Sequence, residues 1–128
     1  MGLDQKLTVF REGVSKDNEY CLIPKEYNFR KANALQGYFE RNYHTENLIK
    51  HEVFDGSIEE LKEYTDYILE NPEDISYIKE NFSPTEGFFY GSTEIDKWYF
   101  EEVEIVSKVV NEILKTDKVA SIYYWSWW

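Results

Sequence analysis

The sequence predicts a single α+β domain in which about three main helices pack on a small mixed sheet. A length of 128 residues suits one domain and is too short for two full cores. Apolar residues make up 42% of the chain, which is enough to fill a core. Along the chain their spacing changes between the two-residue period of strands and the three-to-four-residue period of helices. No linker or repeat interrupts the pattern, so we expect one domain over residues 1–128.

Four segments have the patterns typical of strands or extended chain, and a fifth allows a strand or a turn. Residues 3–10 alternate loosely before a glycine turn, which predicts the first strand. Residues 20–24 form a short apolar run that ends in proline and suits an edge strand. Residues 48–54 and 119–126 alternate between two faces and predict two further strands. Residues 87–91 are aromatic and bracketed by glycines, which favours a strand or a turn.

Helical spacing predicts a first helix that begins at about Phe29, with Asn28 as its cap. Its apolar stripe would consist of Phe29, Ala32, Leu35 and Phe39. Ser57 lies three residues before Glu60, and this capping box predicts the start of a second helix that ends at residues 71–72.

A short third helix is expected over residues 73–82, and the longest helix follows it. Thr93 and Asp96 form a second capping box, which predicts the start of that longest helix. It would extend to about Lys115, with an apolar stripe made of Ile95, Tyr99, Val103, Val106, Val110 and Ile113.

The net charge of −11 limits the classes of partner. Residues 1–64 hold 9 basic and 12 acidic residues, whereas residues 65–128 hold 5 and 13, so the negative charge is concentrated in the second half. Such a chain gains little from phosphates or anionic lipid, so we expect no direct nucleic-acid or membrane contact. The acidic surface has two interpretations: a solubilising surface, or a decoy that occupies a basic groove of another protein.

Conventional catalytic, metal and cofactor motifs are absent from the sequence. His44 and His51 lack metal-ligand spacing, and Cys21, the one cysteine, lies in an apolar run typical of a buried, inert thiol. No apolar run approaches a membrane span, and no signal peptide is visible, so a soluble intracellular protein is expected. We therefore expect a protein that is not an enzyme and needs no cofactor. A weaker alternative is an enzyme that acts on a phosphorylated small molecule near Ser92.

Two segments favour a binding pocket for an anionic ligand. Glycines and hydroxyls that open a long helix present free N–H groups to an anion, and neighbouring aromatic rings can stack on a planar group. The only adjacent basic pair, placed near the start of the first predicted helix, opposes the helix dipole, which invites a functional explanation. The predicted ligand-binding residues are Arg30, Lys31, Asn33, Phe88, Phe89, Tyr90, Gly91, Ser92 and Thr93. The structural alternatives are that Ser92 and Thr93 only cap the helix, and that the basic pair forms ion pairs.

An alternative set of residues favours binding to a protein partner. Glu101, Glu102 and Glu104 are expected on the outer side of the long helix, where they could present a row of negative charge. Trp127 and Trp128 end an aromatic segment that should dock either into the domain or onto a partner.

Several segments resemble a family of small proteins found in bacteriophage genomes. The chain starts Met-Gly-Leu-Asp, and Arg30 to Asn33 match the Arg-Lys-Ala-Asn helix of that family. Residues 87–94, Gly-Phe-Phe-Tyr-Gly-Ser-Thr-Glu, and the aromatic residues 123–128 look like two further signatures of the family.

The resemblance implies a phage accessory protein that acts in the cytoplasm of an infected bacterium and neutralises a host defence by binding. The first hypothesis is that it sequesters a nucleotide-type signal in the predicted pocket. The alternative is an acidic, DNA-mimicking inhibitor, like an anti-CRISPR protein, that binds a basic host nuclease.

Overall fold

Eight regular elements form the part of the chain that the structure, a computed structural model, describes, namely residues 2–87 and 90–128. In chain order they are β1 (Asp4–Val14), β2 (Tyr20–Arg30), α1 (Asn33–Tyr43), β3 (Lys50–Glu52), α2 (Asp55–Glu70), α3 (Ile75–Asn81), α4 (Lys97–Lys115) and β4 (Val119–Trp127). The α+β class predicted from the sequence is confirmed.

The four strands form one sheet in the order β2-β1-β4-β3, and every neighbouring pair is antiparallel. The prediction of a mixed sheet is therefore wrong. Strand periodicity shows which residues share a face but carries no information about strand direction. Strand β1 pairs with β2 on one side and with β4 on the other. Its first residue, Asp4, lies opposite Arg30 of β2 and Trp127 of β4.

The helices cover one face of this sheet. Leu7 and Val9 of β1 and Tyr124 of β4 are buried beneath them, and the rings of Phe39 and Tyr124 stack with centroids 3.9 Å apart. Five residues of the stripe predicted for the longest helix are confirmed, since Tyr99, Val103, Val106, Val110 and Ile113 of α4 are all buried. The sixth, Ile95, precedes the helix and is half-buried against the same core. In the described part of the chain, no helix is long and apolar enough to cross a bilayer.

The start of α1 differs from the prediction. Phe29 and Arg30 are the last residues of β2, and α1 begins only at Asn33. Phe29 is nevertheless buried in the same core as the α1 stripe, which explains why its spacing resembles that of a helix. Strand β2 also continues through Pro24, because an edge strand leaves that position without a required N–H donor.

Neither predicted capping box starts a helix. Helix α2 begins at Asp55 after Phe54, and Ser57 lies inside its first turn, where its hydroxyl is bonded to that of Tyr43. Helix α4 is capped by Asp96, whose Oδ1 accepts hydrogen bonds from the N–H groups of Trp98 and Tyr99. Thr93 lies outside the helix.

One predicted strand is shorter than expected, and of the strand or turn allowed for residues 87–91 the described residues form no strand. The strand expected over residues 48–54 is limited to Lys50–Glu52. Within residues 87–91, Gly87, Tyr90 and Gly91 lie outside the sheet, whereas Phe88 and Phe89 lie outside the described residues.

Candidate functional site

A cleft of about 560 Å³ lies between the end of β2, the loop that precedes α4 and the first turns of α4. Five of the predicted ligand-binding residues line it, namely Arg30, Lys31, Asn33, Gly91 and Ser92. These residues come from segments that are about 60 positions apart in the sequence, so the fold brings together the two segments that the sequence singled out.

The basic pair sits on the rim of the cleft. Arg30 ends β2, and Lys31 adopts a left-handed backbone conformation with φ of 53°, so both residues precede α1 instead of occupying its first turn. The predicted placement of the pair inside the helix start is therefore wrong. Both side chains are exposed, and no carboxylate of a described residue lies within 4 Å of either. The ion-pair alternative is thus not realised within the described residues.

Hydrogen bonds with Gln5 of β1 and with Leu3, just before it, hold the turn that carries the basic pair. The buried Gln5 side chain bonds both backbone groups of Ala32: its Nε2 donates to the carbonyl, and its Oε1 accepts from the N–H, each at 2.9 Å. The N–H of Lys31 donates to the carbonyl of Leu3 at 2.7 Å. The two cations are therefore presented by a backbone that cannot move without breaking three hydrogen bonds.

Asn33 lines the cleft and also positions the loop that precedes α4. Its Nδ2 donates to the carbonyls of Tyr90 and Ser92, at 3.2 and 2.8 Å, and its Oδ1 accepts from the Thr85 N–H at 3.1 Å. Gly37, one turn along α1, permits this close approach, because a Cβ there would overlap the Thr85 side chain. The Asn33 side chain therefore joins α1 to the loop, and its contact with a ligand stays a prediction.

The loop before α4 contributes backbone and one hydroxyl to the cleft. Gly91 has φ of 91°, a conformation that favours glycine, and it lies against the Lys31 side chain. The Ser92 hydroxyl accepts from the Glu94 N–H at 3.1 Å. Thr93 is exposed and does not line the cleft, contrary to its predicted role.

Tyr90 also points elsewhere. Its side chain is buried, its hydroxyl donates to Glu40 Oε1 at 2.6 Å, and its ring meets Trp128 edge-to-face. The predicted stacking role of Tyr90 is therefore wrong. Phe88 and Phe89, the other two predicted stacking residues, lie outside the described residues.

Trp98 is an aromatic residue of the cleft that the sequence analysis missed. It lies in the first turn of α4, its side chain is 62% exposed, and Lys97 Nζ lies 4.8 Å from its ring centroid. The available signal was its position: Trp98 falls outside the apolar stripe of α4, which predicts that its ring lies on a face of the helix turned away from the core.

Glu102 closes the inner end of the cleft and points toward the start of α1. Its Oε2 accepts a hydrogen bond from the Leu35 N–H at 3.0 Å. Ala32, at the cap position of α1, has no side-chain oxygen that could accept from the free N–H groups of that helix. Burial raises the pKa of the Glu102 carboxyl to about 8, although hydrogen bonds from the N–H groups of Leu35 and Ala34 favour the charged form. The prediction that Glu102 lies on the outer side of α4 is therefore wrong.

The wall opposite the cations is acidic. Glu94 and Glu101 are exposed and line the cleft, and Asp96 lines it while capping α4. The cleft therefore offers two cations on one side and carboxylates that accept hydrogen bonds on the other. Such an arrangement suits a ligand that carries both an anionic group and hydroxyl or amino donors.

The residues of the alternative interface fall into two groups. Glu101 and Glu104 are exposed on α4, as predicted. Trp127 is half-buried beside Trp125, with ring centroids 4.6 Å apart, and the N–H of the half-buried Trp128 donates to Asn47 Oδ1 at 3.1 Å. The aromatic terminus thus packs against the domain itself.

In the described ranges, no group of three His, Cys, Asp or Glu side chains is arranged to hold a metal ion. A scan against protein-family models finds no match, and searches of curated proteins and of solved structures return none either.

Proposed function

We propose that this chain is a non-enzymatic binding protein that holds a small nucleotide-like ligand in the cleft between β2 and α4. The observation that carries the proposal is the position of Arg30 and Lys31, two exposed cations with no ion-pair partner among the described residues, on the rim of a cleft that an exposed tryptophan also lines.

Each part of a nucleotide has a counterpart in the cleft. The guanidinium of Arg30 and the ammonium of Lys31 suit phosphate oxygens, and an arginine fork can bind two of them at once. The exposed ring of Trp98 offers a face on which a base can stack. The carboxylates of Glu94 and Glu101 can accept hydrogen bonds from sugar hydroxyls or base amino groups.

The size of the cleft agrees with this class of ligand. Its volume of about 560 Å³ lies within the range of roughly 300–1,000 Å³ typical of small-molecule sites. An acidic wall also discriminates against anions that lack hydrogen-bond donors, because such ligands would face the carboxylates of Glu94 and Glu101 with nothing to donate to them.

The biological setting of the proposal comes from the resemblance of the Arg30–Asn33 and 87–94 segments to small bacteriophage proteins. In that setting the protein would act in the cytoplasm of an infected bacterium, where binding of a nucleotide-type signal would remove it from a host defence system. Sequestration requires only tight binding and an excess of protein, and needs no catalytic group.

The direct test is a thermal-stability screen of the purified protein against mononucleotides, dinucleotides and cyclic nucleotides. A ligand present at 100-fold its Kd should stabilise the fold by about 2.7 kcal/mol. For a ligand that does so, Arg30→Ala should weaken binding about 10- to 100-fold, since it removes a charge-assisted contact. Calorimetric titration measures both affinities.

Matched variants separate the cleft from general charge effects. Lys31→Ala should weaken binding like Arg30→Ala, whereas Lys16→Ala, which removes the same charge from an exposed turn residue outside the cleft, should leave affinity unchanged. A screen without any stabilising nucleotide, or equal affinity for wild type and Arg30→Ala, would reject the proposal.

A second candidate function is inhibition of a basic host nuclease by the acidic surface of α4. The exposure of Glu101 and Glu104, neither of which has an ion-pair partner in the described chain, favours this candidate. It predicts inhibition that weakens steeply with salt. Reversing both charges to lysine should abolish that inhibition, and Glu102 must be left intact because it holds the start of α1.

A further inference from the structure

One face of the sheet is not covered by any described helix. We call it the outer face; it consists of the side chains on the opposite side of the strands from buried Leu7, Val9 and Tyr124. A shallow cavity of about 590 Å³ on this face is lined only by strand residues, namely Lys6, Thr8, Phe10, Leu22, Pro24, Glu26, Lys50, Ser121, Tyr123 and Trp125.

The outer face is rich in aromatic side chains. Phe10 and Tyr123 meet edge-to-face at 5.9 Å, and Trp125 and Trp127 lie 4.6 Å apart along β4. All four are accessible to solvent in part, and Leu22 on the edge strand is 46% exposed. A contiguous aromatic surface of this kind marks an interaction site more often than an ordinary protein surface.

The charges of the outer face differ from those of the rest of the molecule. Its alternating positions include three basic residues, Lys6, Arg30 and Lys50, and four acidic residues, Asp4, Glu12, Glu26 and Glu52. The remaining chain holds 11 basic and 21 acidic residues. Two copies of this protein therefore repel each other everywhere else, whereas their outer faces carry almost no net charge and can approach.

The strand register makes the outer face complementary to itself. Lys50 and Glu52 lie two residues apart on β3, opposite Trp125 and Tyr123 of β4. A two-fold axis that crosses the strands between these two pairs would place Lys50 of each copy against Glu52 of the other. The same axis would place Trp125 against the Tyr123 of the other copy, so one symmetric contact combines ion pairs with aromatic packing.

The size of the face suits a weak contact between two copies. Three strands of about eight residues and the three-residue β3, spaced about 4.8 Å apart, present roughly 430 Å² per copy. Two faces together bury roughly 900 Å², which is the size of a weak, transient protein interface.

From this geometry we propose that two copies of the chain form a two-fold symmetric dimer through their outer faces, with Lys50 of one copy opposite Glu52 of the other. Arg30 lies where the outer face meets the cleft, but Lys50 and Glu52 lie on β3, at the opposite edge of the sheet from β2. The dimer and the proposed ligand site therefore depend on different residues and can be tested separately.

Sedimentation velocity of the full chain over a range from low to high micromolar concentration tests the proposal. Wild type should show a concentration-dependent dimer. Lys50→Glu and Glu52→Lys should each weaken it about tenfold or more, because each places two like charges opposite each other. The double variant Lys50→Glu with Glu52→Lys should restore the wild-type affinity, because the charges are exchanged.

Glu104→Lys is the matched control for Glu52→Lys, since it makes the same change of net charge on α4 and should leave the dimer unaffected. Both residues of the exchange are exposed, so circular dichroism should show all four variants folded. A wild-type chain that remains monomeric at high micromolar concentration overturns the proposal. So does a dimer that is unchanged by either single charge reversal, or a monomer whose outer face is covered by a different protein.

Discussion

Glu102 stabilises a helix to which it does not belong. Helix α1 begins without a side-chain cap of its own, and the first free N–H groups of α1 are met by a carboxylate that comes from α4, 67 residues further along the chain. The carboxylate is enclosed there, and burial raises its pKa from an ordinary value of 4.5 to about 8. The folded state therefore retains a proton that the unfolded chain releases at a much lower pH.

The sign of the resulting pH dependence follows from this difference. Because the folded state holds the Glu102 proton more tightly, this group should lower the free energy of unfolding as pH rises from about 5 to about 8, by up to about 1.4 kcal/mol per pH unit. Glu102→Gln keeps an oxygen for the Leu35 N–H but cannot ionise, so its stability should decline less over this range. Urea unfolding at several pH values measures both slopes. Parallel slopes for the two proteins would contradict the assignment.

At the scale of single residues, the fold brings several of the predicted residues together, whereas the contacts of others differ from those that the sequence indicated. Arg30, Lys31, Gly91 and Ser92 line one cleft as expected. Asn33 and Glu102 could not be assigned from the sequence, because each acts through hydrogen bonds to a backbone more than 50 residues away. Contacts at such separation are decided by tertiary packing and not by local pattern.

At the scale of elements, the cap of α4 offers a test of where that helix begins. The Asp96 carboxylate accepts two N–H groups at the helix start, so Asp96→Ala should lower the free energy of unfolding by about 1 kcal/mol. Thr93→Ala, at the residue that the sequence predicted as the cap, should change it by much less because Thr93 is exposed and outside the helix. Urea denaturation compares the two variants, and equal losses would argue for a helix that begins earlier.

The presence and apolar faces of the elements were predictable, whereas several boundaries were not. The α4 stripe and the alternation of β4 follow directly from their periods. The predicted start of α1 was wrong because Phe29 of β2 and Leu35 of α1 are buried in the same core, and their spacing in the sequence fits a helical period. The predicted capping boxes were wrong because Ser57 and Thr93 match the local sequence motif but do not lie at the cap positions of α2 and α4.

At the scale of the whole molecule, the charge of −11 should limit stability at low ionic strength. Only three ion pairs join described residues, so most of the 25 acidic side chains repel one another without local compensation. Added NaCl shortens the range of this repulsion to about 10 Å at 0.1 M, and the Tm should therefore rise with NaCl. Circular dichroism melts measure the change.

A variant with less negative charge provides the control for this effect. Glu101→Gln combined with Glu104→Gln removes two exposed charges from α4 and should raise the Tm at low salt while reducing the gain from NaCl. A Tm that is independent of NaCl in the wild type would show that the acidic surface does not strain the fold.

The position of β4 in the sheet constrains how the protein can be assembled during synthesis. This strand is translated after all the other described elements, yet it lies between β1 and β3 and buries Ile122 and Tyr124 in the core. Until β4 has left the ribosome, β1 has an open inner edge and β3 has no neighbour in the sheet. A nascent chain that stalls before residue 119 therefore presents an incomplete sheet to the cell, and such a fragment should be removed by proteases instead of accumulating as a partly active domain.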